Sequence, residues 1–239
     1  MALTPQSNEA FLREVDEEYR RDQMLSAWRQ YGRWIIAVVV IALAALAGFL
    51  FWQHRTGVAA DKQGETLQTA YDALGSGDAA GASAPLDELT TSKIEGYRTL
   101  ATFTQADILL QKNDLKGAAA KFAAVAADGS ASQPFRDLAL IRQTSAEFDT
   151  LQPGVVVQRL SGLAVPGGPW FGSAGELVAA AYLKEGKRDQ AGQMFAKIAE
   201  DSNVPQSLRQ RAVQMAGAMG VEAKPPQAAT AQTGKGKAE

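Results

Sequence analysis

Hydrophobic and polar positions follow three rhythms along this chain. Residues 34–52 read WIIAVVVIALAALAGFLFW, nineteen positions without a charged or strongly polar side chain. At ~1.5 Å rise per residue, a helix of this length spans ~28 Å, about the hydrocarbon thickness of a bilayer. The pattern predicts a transmembrane helix over residues 31–53. Tyr31 and Trp34 mark one end and Trp52 the other, where amphipathic aromatics settle at headgroup level. A core helix of a soluble domain would show polar positions over this length. A cleavable signal has an apolar region of only ~7–15 residues, although Val58-Ala59-Ala60 has the small-residue form of a cleavage site.

Before that run, residues 9–30 alternate charges with Phe11, Leu12, Val15, Tyr19, Leu25 and Trp28 near helical spacing. They predict a charged helix, either a solvated extension of the span or a docking surface. After it, residues 54–221 keep a helical rhythm with hardly any strand signal. The one β-branched run, Val155-Val156-Val157, is followed by Gln158, Arg159, Leu160 and Leu163, which favours a helix starting near Pro153.

Within this region the chain repeats itself. The stretch from Gln105, QADILLQKNDLKGAAAKFAAVAAD, matches the stretch from Glu176, ELVAAAYLKEGKRDQAGQMFAKIAED, at a shift of 73 residues. Ala106 then meets Ala179, Leu110 meets Leu183, Ala118 meets Ala191, Phe122 meets Phe195, and Asp128 meets Asp201. Seventy-three is two periods of ~34 residues plus a few loop positions, and 34 is the tetratricopeptide period. Each copy predicts a helix, a polar turn (Lys112-Asn113-Asp114 or Glu185-Gly186-Lys187) and a second helix. Small residues at Ala106 and Ala118, and at Ala179 and Ala191, allow two helices to touch. Phe122 and Phe195 lie one turn further on the same face, where the next unit must cover them. Tyr182 joins these as an expected packing residue.

Residues 58–74 and 84–91, joined at Gly75-Ser76-Gly77, predict a first unit, and residues 135–149 and 153–164 a degenerate middle one. Residues 206–219 predict a capping helix. The remainder, 222–239, has the Pro-, Gln-, Thr- and Lys-containing composition of a disordered tail. The expected fold is therefore all-α: one N-terminal transmembrane helix, then a tetratricopeptide-like solenoid of about three to four hairpins. Its segments are 1–30 on the cytoplasmic side, 31–53 in the membrane, 54–221 as the repeat domain, and the tail.

Charge adds an orientation. Arg20, Arg21, Arg29 and Arg33 precede the apolar run, whereas Arg55 and Lys62 follow it. Cationic flanks stay cytoplasmic, so the N-terminus is expected inside and the repeats outside. Over the whole chain the formal net charge is only -2, without the basic balance of a nucleic-acid binder.

Chemistry finds little to work with. No cysteine is present, which excludes a thiol nucleophile, a disulfide framework and a zinc–thiolate site. The single histidine, His54, excludes a multi-histidine metal site within one chain and reads as an interfacial residue. Gly75, Gly77 and Gly81 have the wrong spacing for a dinucleotide loop, and Gly234-Lys235-Gly236-Lys237 lacks the Walker spacing. Asp16-Glu17-Glu18 and Asp87-Glu88 read as solvated helix faces, and Pro166-Gly167-Gly168-Pro169 as a connector in preference to a lid. No catalytic, cofactor or metal residue is expected, and the chain reads as a binding protein.

The span ending FWQHR, the hairpin around LLQKNDLKGAAAKF, and Gly168-Pro169-Trp170 leading into LKEGKRDQAGQMF come in a definite order. Together they resemble the ancillary SecYEG translocon subunit family, the YfgM-like proteins with a tetratricopeptide-like periplasmic domain. The resemblance covers roughly residues 29–219. It implies a single-pass protein of the bacterial inner membrane that associates with the SecYEG translocon and with a membrane-anchored periplasmic chaperone. It would help pass unfolded secreted chains to periplasmic chaperones. A repeat scaffold for another envelope machine, such as cell division, is the alternative; an enzyme or cofactor-dependent sensor is a third reading.

Overall fold

The computed structural model describes residues 6–224, with side chains from Trp28 onward. The expected tail lies largely outside the described residues, as do Gly234-Lys235-Gly236-Lys237 and the side chains of Asp16-Glu17-Glu18. Among the described residues the chain is helical, without a strand. It runs through α1 (Gln6–Gly75), α2 (Ser83–Thr90), α3 (Glu95–Gln111), α4 (Leu115–Ala127) and α5 (Gln133–Glu147). Then follow α6 (Pro153–Leu160), α7 (Phe171–Lys184), α8 (Arg188–Glu200) and α9 (Gln206–Ala218).

Two compact units divide the chain, Met1–Lys62 and Gln63–Glu239. The first holds the apolar run, which is long and apolar enough to cross a membrane and is not buried by protein. Trp34 is 64% exposed and Trp52 65%, so this is not the core helix of a globular domain.

In the second unit, helices pack as successive hairpins. The end of α1 and α2 enclose Leu67, Ala70, Ala82, Leu86 and Leu89, joined by Ala101 of α3. The pairs α3–α4 and α7–α8 follow, with α5 packed on α4, α6 on α7 and α9 on α8, while α5 and α6 of the middle hairpin touch only lightly. Helices approach closely where side chains are missing: a Cβ on Gly175 of α7 would lie 2.9 Å from Ile198 Cδ1 of α8.

One turn recurs. Gly77, Asn113, Gly186 and Gly220 all have positive φ (82°, 59°, 73° and 81°). In each case the next residue's N–H reaches five residues back: Asp78 to Ala73 O (2.8 Å), Asp114 to Leu109 O (2.9 Å), Lys187 to Tyr182 O (2.9 Å), Val221 to Ala216 O (3.0 Å). This is the left-handed helix stop that satisfies terminal carbonyls. The intervals are 36, 73 and 34 residues; the double interval spans the middle hairpin, whose α5–α6 turn has no positive φ, and Gly167 (80°) lies in the connector beyond it. After two of the turns an aspartate caps the next segment, Asp78 accepting from Gly81 N–H and Asp114 from Gly117 N–H, both at 2.8 Å.

Element ends differ slightly from the pattern-based expectations. The second helix of the middle hairpin stops at Leu160 instead of 164. There Leu163 and Ala164 N–H both turn back to Leu160 O, and Gly162 and Pro166 discourage another helical turn.

Candidate functional site

The repeat residues fall into the interior. Ala106, Ala118 and Phe122 are fully buried and share a cluster with Phe103, Leu109 and Leu110. Phe103 lies 5.5 Å from the Phe122 ring at a tilted angle, and the Arg142 guanidinium of α5 covers that ring at 5.2 Å. Ala179 and Phe195 belong to the cluster under α9, with Val204, Ala212 and Ala216. Ala191 is fully buried. Tyr182, half-buried, packs in the neighbouring cluster with Val178 and Ala181. Trp34 and Trp52, by contrast, lie on exposed apolar surface.

Consecutive units are laced by ion pairs 35 residues apart in sequence: Asp107–Arg142, Asp149–Lys184 (3.0 Å) and Glu176–Arg211. In the last, Nε and Nη2 of Arg211 each meet a Glu176 oxygen at 2.6 Å, and that hydrogen bonding raises the guanidinium pKa above its ordinary value. Such exposed pairs contribute roughly 0–1 kcal/mol each; their regular spacing bears more on register than on stability.

A second aspartate motif closes each clear hairpin. Asp128 Oδ1 accepts from Ser130 N–H (2.9 Å) and Ser130 Oγ (2.6 Å), and Arg98 Nη2 donates to its Oδ2 (3.3 Å). Those Ser130 bonds are the main reason its carboxyl lies below the ordinary range. Seventy-three residues on, Asp201 Oδ1 accepts from Asn203 N–H (2.8 Å) and its Oδ2 from Gly167 N–H (2.6 Å). The glycine-rich 166–169 segment is thereby pinned as a connector.

An open cavity of about 400 Å³ among α2, α3 and α4 departs from this internal symmetry. Its floor is Leu86, Ile108 and Leu109; Ser83, Asp87, Gln105, Lys112 and Lys121 supply polar groups. A relay crosses the three helices: Lys121 Nζ donates to Gln105 Oε1 (2.7 Å), and Gln105 Nε2 donates to Asp87 Oδ1 (2.7 Å). At the matching positions of the last hairpin stand Val178 for Gln105, Ala181 for Ile108, Tyr182 for Leu109 and Met194 for Lys121. These pack together with Val156 and Leu160 of α6 in one apolar cluster. Where one copy is filled, the other is open and polar.

Sequence reasoning did not single out this site. Asp87 is exposed, as a solvated face requires, yet it also ends a side-chain relay. A signal was available: under the 73-residue alignment, Gln105 and Lys121 replace two apolar residues at once. Neither the cavity nor any other cluster of described residues holds three or more His, Asp or Glu side chains placed to grip a metal ion.

Residues 26–218 match the family model described as a tetratricopeptide repeat-like domain. No curated protein and no solved structure matches the chain.

Proposed function

The chain belongs to the tetratricopeptide repeat-like domain family, and from that premise we propose a membrane-anchored protein–protein interaction module that serves as an ancillary translocon subunit. Stacked helical hairpins bind protein partners over an extended surface instead of concentrating catalytic groups, which makes an interaction scaffold the family's ordinary role. One observation carries the interaction reading: the same position is packed apolar core in the last hairpin and an open polar cavity in the second. A repeat that needed only stability would fill both.

The anchor reading is supported by the exposed run between Trp34 and Trp52, whose apolar side chains need a covering that the protein does not supply. The arginines before it favour a cytoplasmic N-terminus and periplasmic repeats. The finer assignment, contact with SecYEG and transfer of emerging chains to a membrane-anchored periplasmic chaperone, rests on the resemblance to the YfgM-like family.

Photo-crosslinking in intact membranes, followed by identification of the captured proteins, tests it. We expect translocon subunits from probes within residues 34–52, and a periplasmic chaperone or a secreted chain from probes on the repeats. Capture of cell-division proteins in their place would move the scaffold to another envelope machine.

A further inference from the structure

We propose that the α2–α3–α4 cavity receives an acidic side chain of the partner, carried in an extended segment with apolar residues beside it. The inference rests on the interaction-module reading and specifies what one of its surfaces recognises.

The hydrogen-bond inventory of the cavity sets the sign. An ammonium group carries three donors and no acceptor. Lys121 uses one donor on Gln105, and Lys112, also in the lining, has no side-chain hydrogen bond to another described residue. Neither lysine takes part in an ion pair among the described residues. Gln105 is engaged at both ends, by Lys121 and by Asp87. Asp87, the one acidic residue of the lining, already accepts from Gln105 at 2.7 Å and faces the Ser83 hydroxyl at 3.5 Å. What remains unused is mostly cationic N–H, two lysines against one engaged carboxylate.

A visiting carboxylate matches that surplus, and charge-assisted bonds of this kind are among the stronger ones. The floor of Leu86, Ile108 and Leu109 gives the adjoining apolar side chains a surface to cover. At about 400 Å³ the space suits one or two side chains, not a folded element.

The internal repeat shows the alternative state of this position. There Val178 and Met194, at the places of Gln105 and Lys121, pack with Tyr182, Val156 and Leu160 in an apolar cluster. Converting the second hairpin to that pair, Gln105→Val with Lys121→Met, removes the Lys121 ammonium and the relay at nearly unchanged side-chain volume, leaving Lys112 alone against Asp87 and so cancelling the cationic surplus.

The experiment uses the full chain in lipid nanodiscs and two fluorescein-labelled peptides, Gly-Leu-Glu-Glu-Leu-Gly and Gly-Leu-Lys-Lys-Leu-Gly, read by anisotropy. We expect the acidic peptide to bind more tightly than the basic one, and to weaken with added salt as exposed charge interactions do. Lys112→Glu with Lys121→Glu should weaken it at least about tenfold and improve the basic peptide, as reversal of complementary charge does. Gln105→Val with Lys121→Met should abolish binding while keeping the helical melt, and Lys197→Glu on exposed α8 should leave it unchanged.

Equal binding of both peptides, binding of neither, or survival of acidic binding in the Gln105→Val, Lys121→Met chain overturns the proposal. So does displacement of the peptide by phosphatidylglycerol vesicles, which would mark the lysines as a lipid-headgroup contact. If the peptides fail while protein crosslinks persist on other repeat faces, only the cavity assignment falls. If no repeat position crosslinks to any protein, the interaction reading itself falls.

Discussion

Asn113 and Gly186 stand 73 residues apart and occupy the same left-handed backbone position, φ 59° and 73°, each ending the first helix of its hairpin. Only glycine adopts this conformation without a steric penalty, and asparagine is one of the few side chains that tolerate it. We therefore expect Asn113→Gly to be neutral or slightly stabilising and Gly186→Ala to cost about 1 kcal/mol. A circular-dichroism melt of the full chain in mild detergent checks both. A melting point for Gly186→Ala equal to wild type would remove the strain argument.

Ala118 and Ala191 are both fully buried on the second helices of their hairpins. Ala118→Leu and Ala191→Leu should each overpack the site and destabilise by roughly 1–3 kcal/mol. Ala124→Leu, on exposed surface of the same helix as Ala118, should change little. Urea midpoints for the three variants decide the matter, and a common midpoint would contradict the packing role.

Gly192 is a notch for the chain that leaves α9. A Cβ there would lie 2.7 Å from Val221 Cγ2 and 3.1 Å from Met219 Cβ. Gly192→Ala should lower the melting temperature, and adding Val221→Ala should recover part of the loss because it vacates the contested space. Strictly additive effects of the two changes would argue against the contact.

Asp128 offers a pH test. Its folded pKa is lowered, chiefly by Ser130, so its contribution is present above the ordinary carboxylate range and fades as pH falls through the folded value. Ser130→Ala should bring the Asp128 titration, followed by carboxyl NMR, back toward the ordinary value. An unchanged midpoint would leave Ser130 without the assigned effect.

Orientation is open to chemical labelling, since the chain has no cysteine of its own. With Ser83→Cys, a membrane-impermeant maleimide should label intact spheroplasts, whereas Ser7→Cys should react only after lysis. The reverse pattern would invert the arginine-based orientation.

Helical class, the apolar run and the repeat were legible in sequence because each depends on local rhythm: nineteen apolar positions in a row, helical spacing, and small residues recurring at a fixed shift. Even the helix stops could be read from Asn113 and Gly186, since positive φ restricts the residue type locally. The cavity could not be read this way. Whether Asp87, Gln105 and Lys121 form a relay depends on three helices meeting at hydrogen-bonding distance, and 18 and 16 residues separate the partners in each bond. Periodicity assigned Asp87 to a solvated face, and tertiary packing placed an amide from α3 against it. The 73-residue alignment marked Gln105 and Lys121 as polar where their counterparts are apolar; only the fold decided that the difference leaves a space open, because a void is set by the side chains that surround it from other helices.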